Sequence, residues 1–165
     1  MTERQQLDAI DLRIVSELQK DGRLPHKELA SRVGISHPNC LRRVRSLRSR
    51  GIIRTIRATL DERSLGYEVA SFVAIQLSSQ NQATLAAFED AIGAMPLVQQ
   101  CWRISGDADF LLRCVAASVE GMTRQLRLFA AMPDVHTIRS FPVLGVSKDV
   151  PLPIPGEPAP AGPSE

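Results

Sequence analysis

Apolar side chains recur every four residues near the start of the chain, at Ile10, Ile14 and Leu18, with Val15 beside them. That spacing is the stripe of a helix burying one face. Asp8 stands at the N-cap position, and Asp11 three residues on puts a negative charge in the first turn. Leu7 and Leu12 flank the cap as a hydrophobic staple, and Gly22 ends the stretch. A shorter helix follows in LPHKELASRVG, opened by Pro25, burying Leu29, Ala30 and Val33 and closed by Gly34. Only Gly34, Ile35 and Ser36 separate it from a third helix. Two helices joined by a three-residue turn containing Gly form a helix-turn-helix.

The third helix lies in GISHPNCLRRVRSLRSRG, residues 34–51, with five arginines and no acidic residue. At about 100° per residue, Cys40, Leu41, Val44 and Leu47 gather on one side. Asn39, Arg42, Arg45, Ser46 and Ser49 point the other way, with Arg43 on the flank. Ser36 is expected to cap this helix. The second helix of the motif enters the major groove with its first turn deepest. His37, Asn39 and Arg42 are therefore expected at base edges, where Arg grips guanine and Asn grips adenine bidentately. Arg43, Arg45, Arg48 and Arg50 are expected at phosphates, which position the protein without reading sequence. GIIRTIRATLD predicts a short strand pair or wing from which Arg54 and Arg57 reach the DNA backbone. A merely solvated basic face is outweighed by the agreement of turn, cap, apolar stripe and charge.

Beyond the connector DERSLGY the period changes. EVASFVAIQLSS reads as a strand, and NQATLAAFEDAIGAM as a helix with Leu85, Phe88 and Ile92 on one side. VQQCWRIS and DFLLRCVAA read as strands joined by a tight turn at Gly106, Asp107 and Ala108. SVEGMTRQLRLFAAM is a second helix stopped by Pro133, and VHTIRSFPVLGVS a final strand. The order β-α-β-β-α-β predicts a ferredoxin-like domain, so the fold class is α+β. One face of such a sheet is left for covering, which favours dimerisation. The tail PLPIPGEPAPAGPSE, with six prolines in fifteen positions, is expected to be extended or flexible. The expected domains are 1–62, 66–150 and the tail 151–165.

Charge sharpens this division. Residues 1–63 hold 14 Lys/Arg against 8 Asp/Glu, a balance of +6, while the remainder carries −4. Only the first module suits a polyanion such as double-stranded DNA. Hydrophobic content of 44% fits a globular protein, and aromatics at 4% make the core mainly aliphatic. Cys40, Cys101 and Cys114 show no C-x-x-C spacing, so neither a disulfide framework nor a metal site is expected, and a reducing cytosol is the natural compartment. The polar start MTERQQLDAI lacks a leader's apolar run, and no window approaches the roughly 18 apolar residues of a membrane span. No catalytic constellation or cofactor loop is evident. Cys40 reads as a small core residue, His26 and His136 as surface or packing residues, and Trp102 as packing. In SGDADFLL, Asp107 and Asp109 are open to two readings: turn formers, or carboxylates for a ligand's ammonium.

From residue 7 to about 150 the sequence resembles the leucine-responsive/asparagine regulator (Lrp/AsnC) family of transcription factors. The resemblance rests on LDAIDLRIVSELQKDGR, ELASRVGIS, CLRRVRSL and GII, then on the G-x-x-D of Gly106 and Asp109, and on MPDV before a closing strand. It implies a sequence-specific DNA-binding regulator, cytoplasmic and nucleoid-associated, whose C-terminal sheets pair into homo-dimers that assemble further to octamers. It also implies a small-molecule effector, usually an amino acid, bound around the G-x-x-D turn. Carried over, the effector site comprises Ile104, Ser105, Gly106, Asp107 and Asp109, with Phe141, Pro142 and Val143 on the closing strand. Pro142 departs from the family's hydrogen-bonding residue and predicts an edge or bulge there. Two further readings share this architecture: a DNA-compacting protein indifferent to ligands, and a decarboxylase of haem biosynthesis.

Overall fold

The computed structural model describes residues 7–155; most of the N-terminal stretch read for a leader, and the tail from residue 156, lie outside the described residues. The chain divides into two compact units, one running to Thr59 and including the segment from Lys148, the other Leu60–Ser147.

Three helices make the first unit: α1 (Ala9–Lys20), α2 (His26–Val33) and α3 (His37–Ser49). Asp8 caps α1 as expected, accepting the Asp11 N–H at 2.8 Å. Ile14, Leu29, Cys40 and Leu47 are wholly shielded, and Leu7, Ile10 and Val15 border them. Burying each large aliphatic side chain contributes about 1.5–3 kcal/mol. The strand pair expected after α3 does not form. Residues 54–61 are exposed and without regular structure until a turn of 3-10 helix at Arg63–Leu65. Only Ile53 of this segment packs onto the helical core. Ile52, Ile56 and Leu60 stay largely exposed, so the rest gains too little burial to hold a hairpin down.

The second unit contains β1 (Val69–Leu77), α4 (Gln82–Gly93), β2 (Val98–Arg103), β3 (Phe110–Ala116), α5 (Val119–Ala130) and β4 (Val135–Pro142). The strands run in the order β2-β3-β1-β4, each antiparallel to its neighbours, as the ferredoxin-like reading predicts. Asn81 and Ser118 cap the two helices, accepting the N–H groups of Thr84 and Gly121. Alternate residues Val73, Ile75, Phe110 and Leu112 pack against Phe88 and Ile92 of α4 and Met122 and Phe129 of α5. The intervening positions put Phe72, Trp102 and Phe141 on the opposite face, where the Phe72 and Trp102 ring centroids are 6.4 Å apart. Trp102 is 40% exposed there, so it is less a core residue than expected. Arg113 is held at the start of this unit by Glu62 through two bonds of 2.7 and 3.1 Å. Pro142 ends an edge strand, where its missing N–H costs no ladder bond, and Val143 resumes by donating to Ala70 O at 2.9 Å.

The tight turn expected between β2 and β3 is longer by one residue. The Ile104 N–H donates to Asp109 O at 2.9 Å, so residues 105–108 close the hairpin. The segment 151–155 has no helix or strand and is exposed apart from Ile154.

Candidate functional site

Gly34 closes α2 in the left-handed region at φ 75°, a conformation that L side chains resist, and so turns the chain sharply into α3. Ser36 occupies the N-cap position with extended backbone, but its side chain makes no cap hydrogen bond. A capping oxygen uses the second or third N–H of the helix, and Pro38 removes the second. The exposed hydroxyl is left for an external partner.

The basic row of α3 separates into two sets. His37, Arg45 and Arg48 are exposed, as are Arg54 and Arg57 beyond the helix, and none has a partner among the described residues. Arg42 is exposed too, with Nη2 donating to Asn39 Oδ1 at 2.9 Å, so two of the three expected base readers orient each other. Arg43 contradicts the expected phosphate role. Its Nη1 lies 2.7 Å from both Asp8 Oδ2 and Asp11 Oδ1, and it is only 19% exposed. Arg50 stands 3.9 Å from Asp11 Oδ2, which turns it toward the same carboxylate rather than outward. Asp11 is thus more than a first-turn charge for the helix dipole: it is a buried anchor that draws α3 onto α1. The Asp11 N–H and then the Arg43 guanidinium hold the Asp8 carboxyl below its usual range. Burial pushes the Cys40 thiol up, as fits its place in the core.

In the second unit, Gly106 adopts φ 130°, and the hairpin brings Ile104, Ser105, Gly106 and Asp109 to a cavity of about 370 Å³. Gln80, Leu85, Arg103 and Ala108 complete its wall. Asp109 is buried and already engaged: Oδ2 accepts the Leu77 N–H at 2.7 Å and Oδ1 accepts Gln80 Nε2 at 2.8 Å. Each oxygen accepts one neutral N–H and keeps a second lone pair, so the carboxylate is fixed at the cavity wall with its charge intact. Asp107 is exposed, its carboxylate without a partner and its carbonyl accepting Arg139 Nη2 at 3.3 Å. Phe141, Pro142 and Val143 do not join this cavity within one chain. Leu77 lies beside Asp109 whereas Ser71 pairs with Pro142, six positions along β1 and roughly 20 Å away at about 3.4 Å per residue. Gln80 and Arg103 were missed by sequence reasoning; a Gln after a strand and an Arg among strand residues carry no motif. Among the described residues no three His, Cys, Asp or Glu side chains are grouped to hold a metal, and no helix is long and apolar enough to cross a membrane.

These two sites coincide with two family models. The winged helix-turn-helix DNA-binding model matches residues 7–54 and the Lrp/AsnC ligand binding domain model matches 70–152. The leucine-responsive regulatory protein of Rhizobium meliloti (strain 1021) is 43% identical over 150 residues, spanning 90% of this chain and 96% of its own. The Bkd operon transcriptional regulator of Pseudomonas aeruginosa is 38% identical, spanning 82% and 89%. A transcriptional regulator from Neisseria meningitidis, solved as a complex with L-Met, superposes with a TM-score of 0.83 at 28% identity over 91% of this chain and 98% of its own. These relatives are named as regulators rather than enzymes, which sets the decarboxylase reading aside. The chain belongs to the Lrp/AsnC family of transcriptional regulators, with a DNA-binding helix-turn-helix and a ligand-binding domain.

Proposed function

We propose that this regulator reads specific duplex DNA through α3 and that an amino acid entering the cavity beside Gly106 controls its binding. The observation that carries the reading is the outward row of Arg42, Arg45 and Arg48, which no carboxylate of the described chain neutralises, while Arg43 and Arg50 face Asp11. Unneutralised arginines at one helical face are the electrostatic footprint of phosphate binding, with His37, Asn39 and Arg42 placed to read bases. The effector half is supported by the cavity and by the N. meningitidis relative's complex with L-Met. In this reading the DNA-binding domain spans 1–62, the effector domain 66–150 and a Pro-rich tail 151–165, and the protein works at the nucleoid in the cytoplasm. Homo-dimers form across the sheet face bearing Phe72, Trp102 and Phe141 and assemble further, to octamers by family likeness. The effector site then draws on Ile104, Ser105, Gly106, Asp107 and Asp109 of one chain, with residues 141–143 contributed by another.

The test is a thermal-shift screen of the full chain against the twenty amino acids, followed by DNA binding with and without each hit. A ligand at 100 times its dissociation constant adds about 2.7 kcal/mol of apparent stability. Equal binding to unrelated DNA sequences, together with no shift from any amino acid, would replace this reading with the DNA-compacting one.

A further inference from the structure

Arg103 forms a wall shared by two cavities. On one side is the cavity of about 370 Å³ beside the Gly106 turn; on the other is one of about 330 Å³ whose lining includes Glu89, Cys101 and Phe110. The guanidinium makes one ion pair, from Nη2 to Glu89 Oε1 at 3.2 Å. Its Cζ stands 5.8 Å from the ring centroid of Phe110, which is wholly buried and so provides a fixed platform. A guanidinium carries five N–H donors, and Arg103 has no other hydrogen bond or ion pair among the described residues.

The open donors of the larger cavity point one way. Asp109, its acidic lining residue, accepts one neutral N–H on each oxygen, from Leu77 and Gln80, which fixes the carboxylate and leaves its negative charge in place. Arg103 is its only basic lining residue, and most of its donors are free. The charged donors open to a ligand carboxylate in the cavity are therefore those of Arg103. The Arg103–Glu89 pair is 45% and 47% exposed, so water screens it and exchanging its partner costs little. A ligand carboxylate inside the cavity would offer the same guanidinium a bidentate contact with less water around it.

We propose that Arg103 is the carboxylate anchor of the effector cavity, and that Glu89 competes with the ligand for it. This rests on the reading that a small molecule enters beside Gly106, and it names the group by which that molecule is recognised. Gln80 complements the anchor: with Nε2 committed to Asp109, its Oε1 is left to accept from a ligand N–H. Selection then falls on small carboxylates, with α-amino acids the class that uses both ends of the cavity.

The experiment is calorimetric titration of the full chain with L-methionine and L-leucine, with the amines that lack their carboxylate, and with the 2-oxo acids that lack their ammonium. The expected result is that the amino acids bind and the amines do not. Arg103→Gln then weakens amino-acid binding about tenfold or more. Glu89→Gln tightens it about two- to fivefold, a gain that a damaged fold does not produce. If the amino acids bind but the amines bind equally well, or Arg103→Gln and Glu89→Gln change nothing, the anchor is wrong and the effector reading survives. Binding of the 2-oxo acids alone, lost in Arg103→Gln, keeps the anchor and removes the amino-acid effector. No binding by any probe overturns both.

Discussion

The Asp109 carboxylate accepts the buried Leu77 N–H at 2.7 Å, joining the start of β3 to the last residue of β1. A residue lining the cavity beside Gly106 is thereby also a structural one. Removing the acceptor leaves a buried donor unpaired, so Asp109→Ala should destabilise the protein by about 1–3 kcal/mol in denaturant titration. Asp109→Asn retains an oxygen for Leu77 and should cost less. Loss of effector binding in the Ala variant alone is therefore no sign of direct contact. Equal stability of Asp109→Ala and wild type would show that the bond contributes nothing.

Arginines that look equivalent along α3 should separate by experiment. Arg43→Ala leaves the buried Asp11 beside Asp8 with only the more distant Arg50 at 3.9 Å, and should lower stability by about 1–3 kcal/mol while weakening DNA binding on every sequence. Arg45→Ala and Arg48→Ala should leave the melting temperature unchanged and reduce the salt dependence of DNA binding by about one phosphate contact each. Anisotropy titrations at several salt concentrations, paired with melting curves, measure both quantities. An unaltered melting temperature for Arg43→Ala would return it to the phosphate set.

Asn39 and Arg42 meet at 2.9 Å on the exposed side of α3. Each orients the other, so their contributions to base reading should not add. Arg42→Ala is expected to cost about 1–3 kcal/mol on the preferred site and to relax sequence preference. Asn39→Ala frees Arg42 to wander, and the double variant should lose less than the two single losses together. Additive losses in a binding cycle would mean that the two side chains act independently on DNA.

Elements whose punctuation is local were legible along the chain: Asp8, Asn81 and Ser118 sit at helix starts, and Gly34 closes α2 where its sequence position says it should. β1 and β3 were legible as strands, though not which of their residues face the helices. What stayed hidden depends on distant partners. Nothing in RRVRSLRSR reveals that Arg43 meets an aspartate 32 positions earlier while Arg45 meets none. Asp109 reads as a turn former or a ligand-binding carboxylate, and only the fold shows that it also holds the Leu77 N–H, with Gln80 on its other oxygen. The segment 51–60 misled for another reason: Ile52 and Ile56 suggest strand, yet both remain exposed, so their apolar character never finds a sheet to join.

Acid should remove the share of Asp8 in the tie between α1 and α3 in a defined window. The folded protein holds the Asp8 carboxyl below its ordinary value of 3.8, first through the Asp11 N–H and then through Arg43. A depressed carboxylate stabilises the fold fully above the unfolded value, and that contribution disappears as pH falls through the folded value. Asp8→Asn keeps an oxygen for the helix cap but offers Arg43 no charge. Above about pH 5 the wild type should therefore melt at a higher temperature than Asp8→Asn by a constant margin, and the margin should shrink toward zero as pH drops below about 4. Calorimetric melting of both proteins across this range measures it. A margin that persists unchanged into strong acid would assign the whole effect of Asp8 to the cap, with no share for its charge.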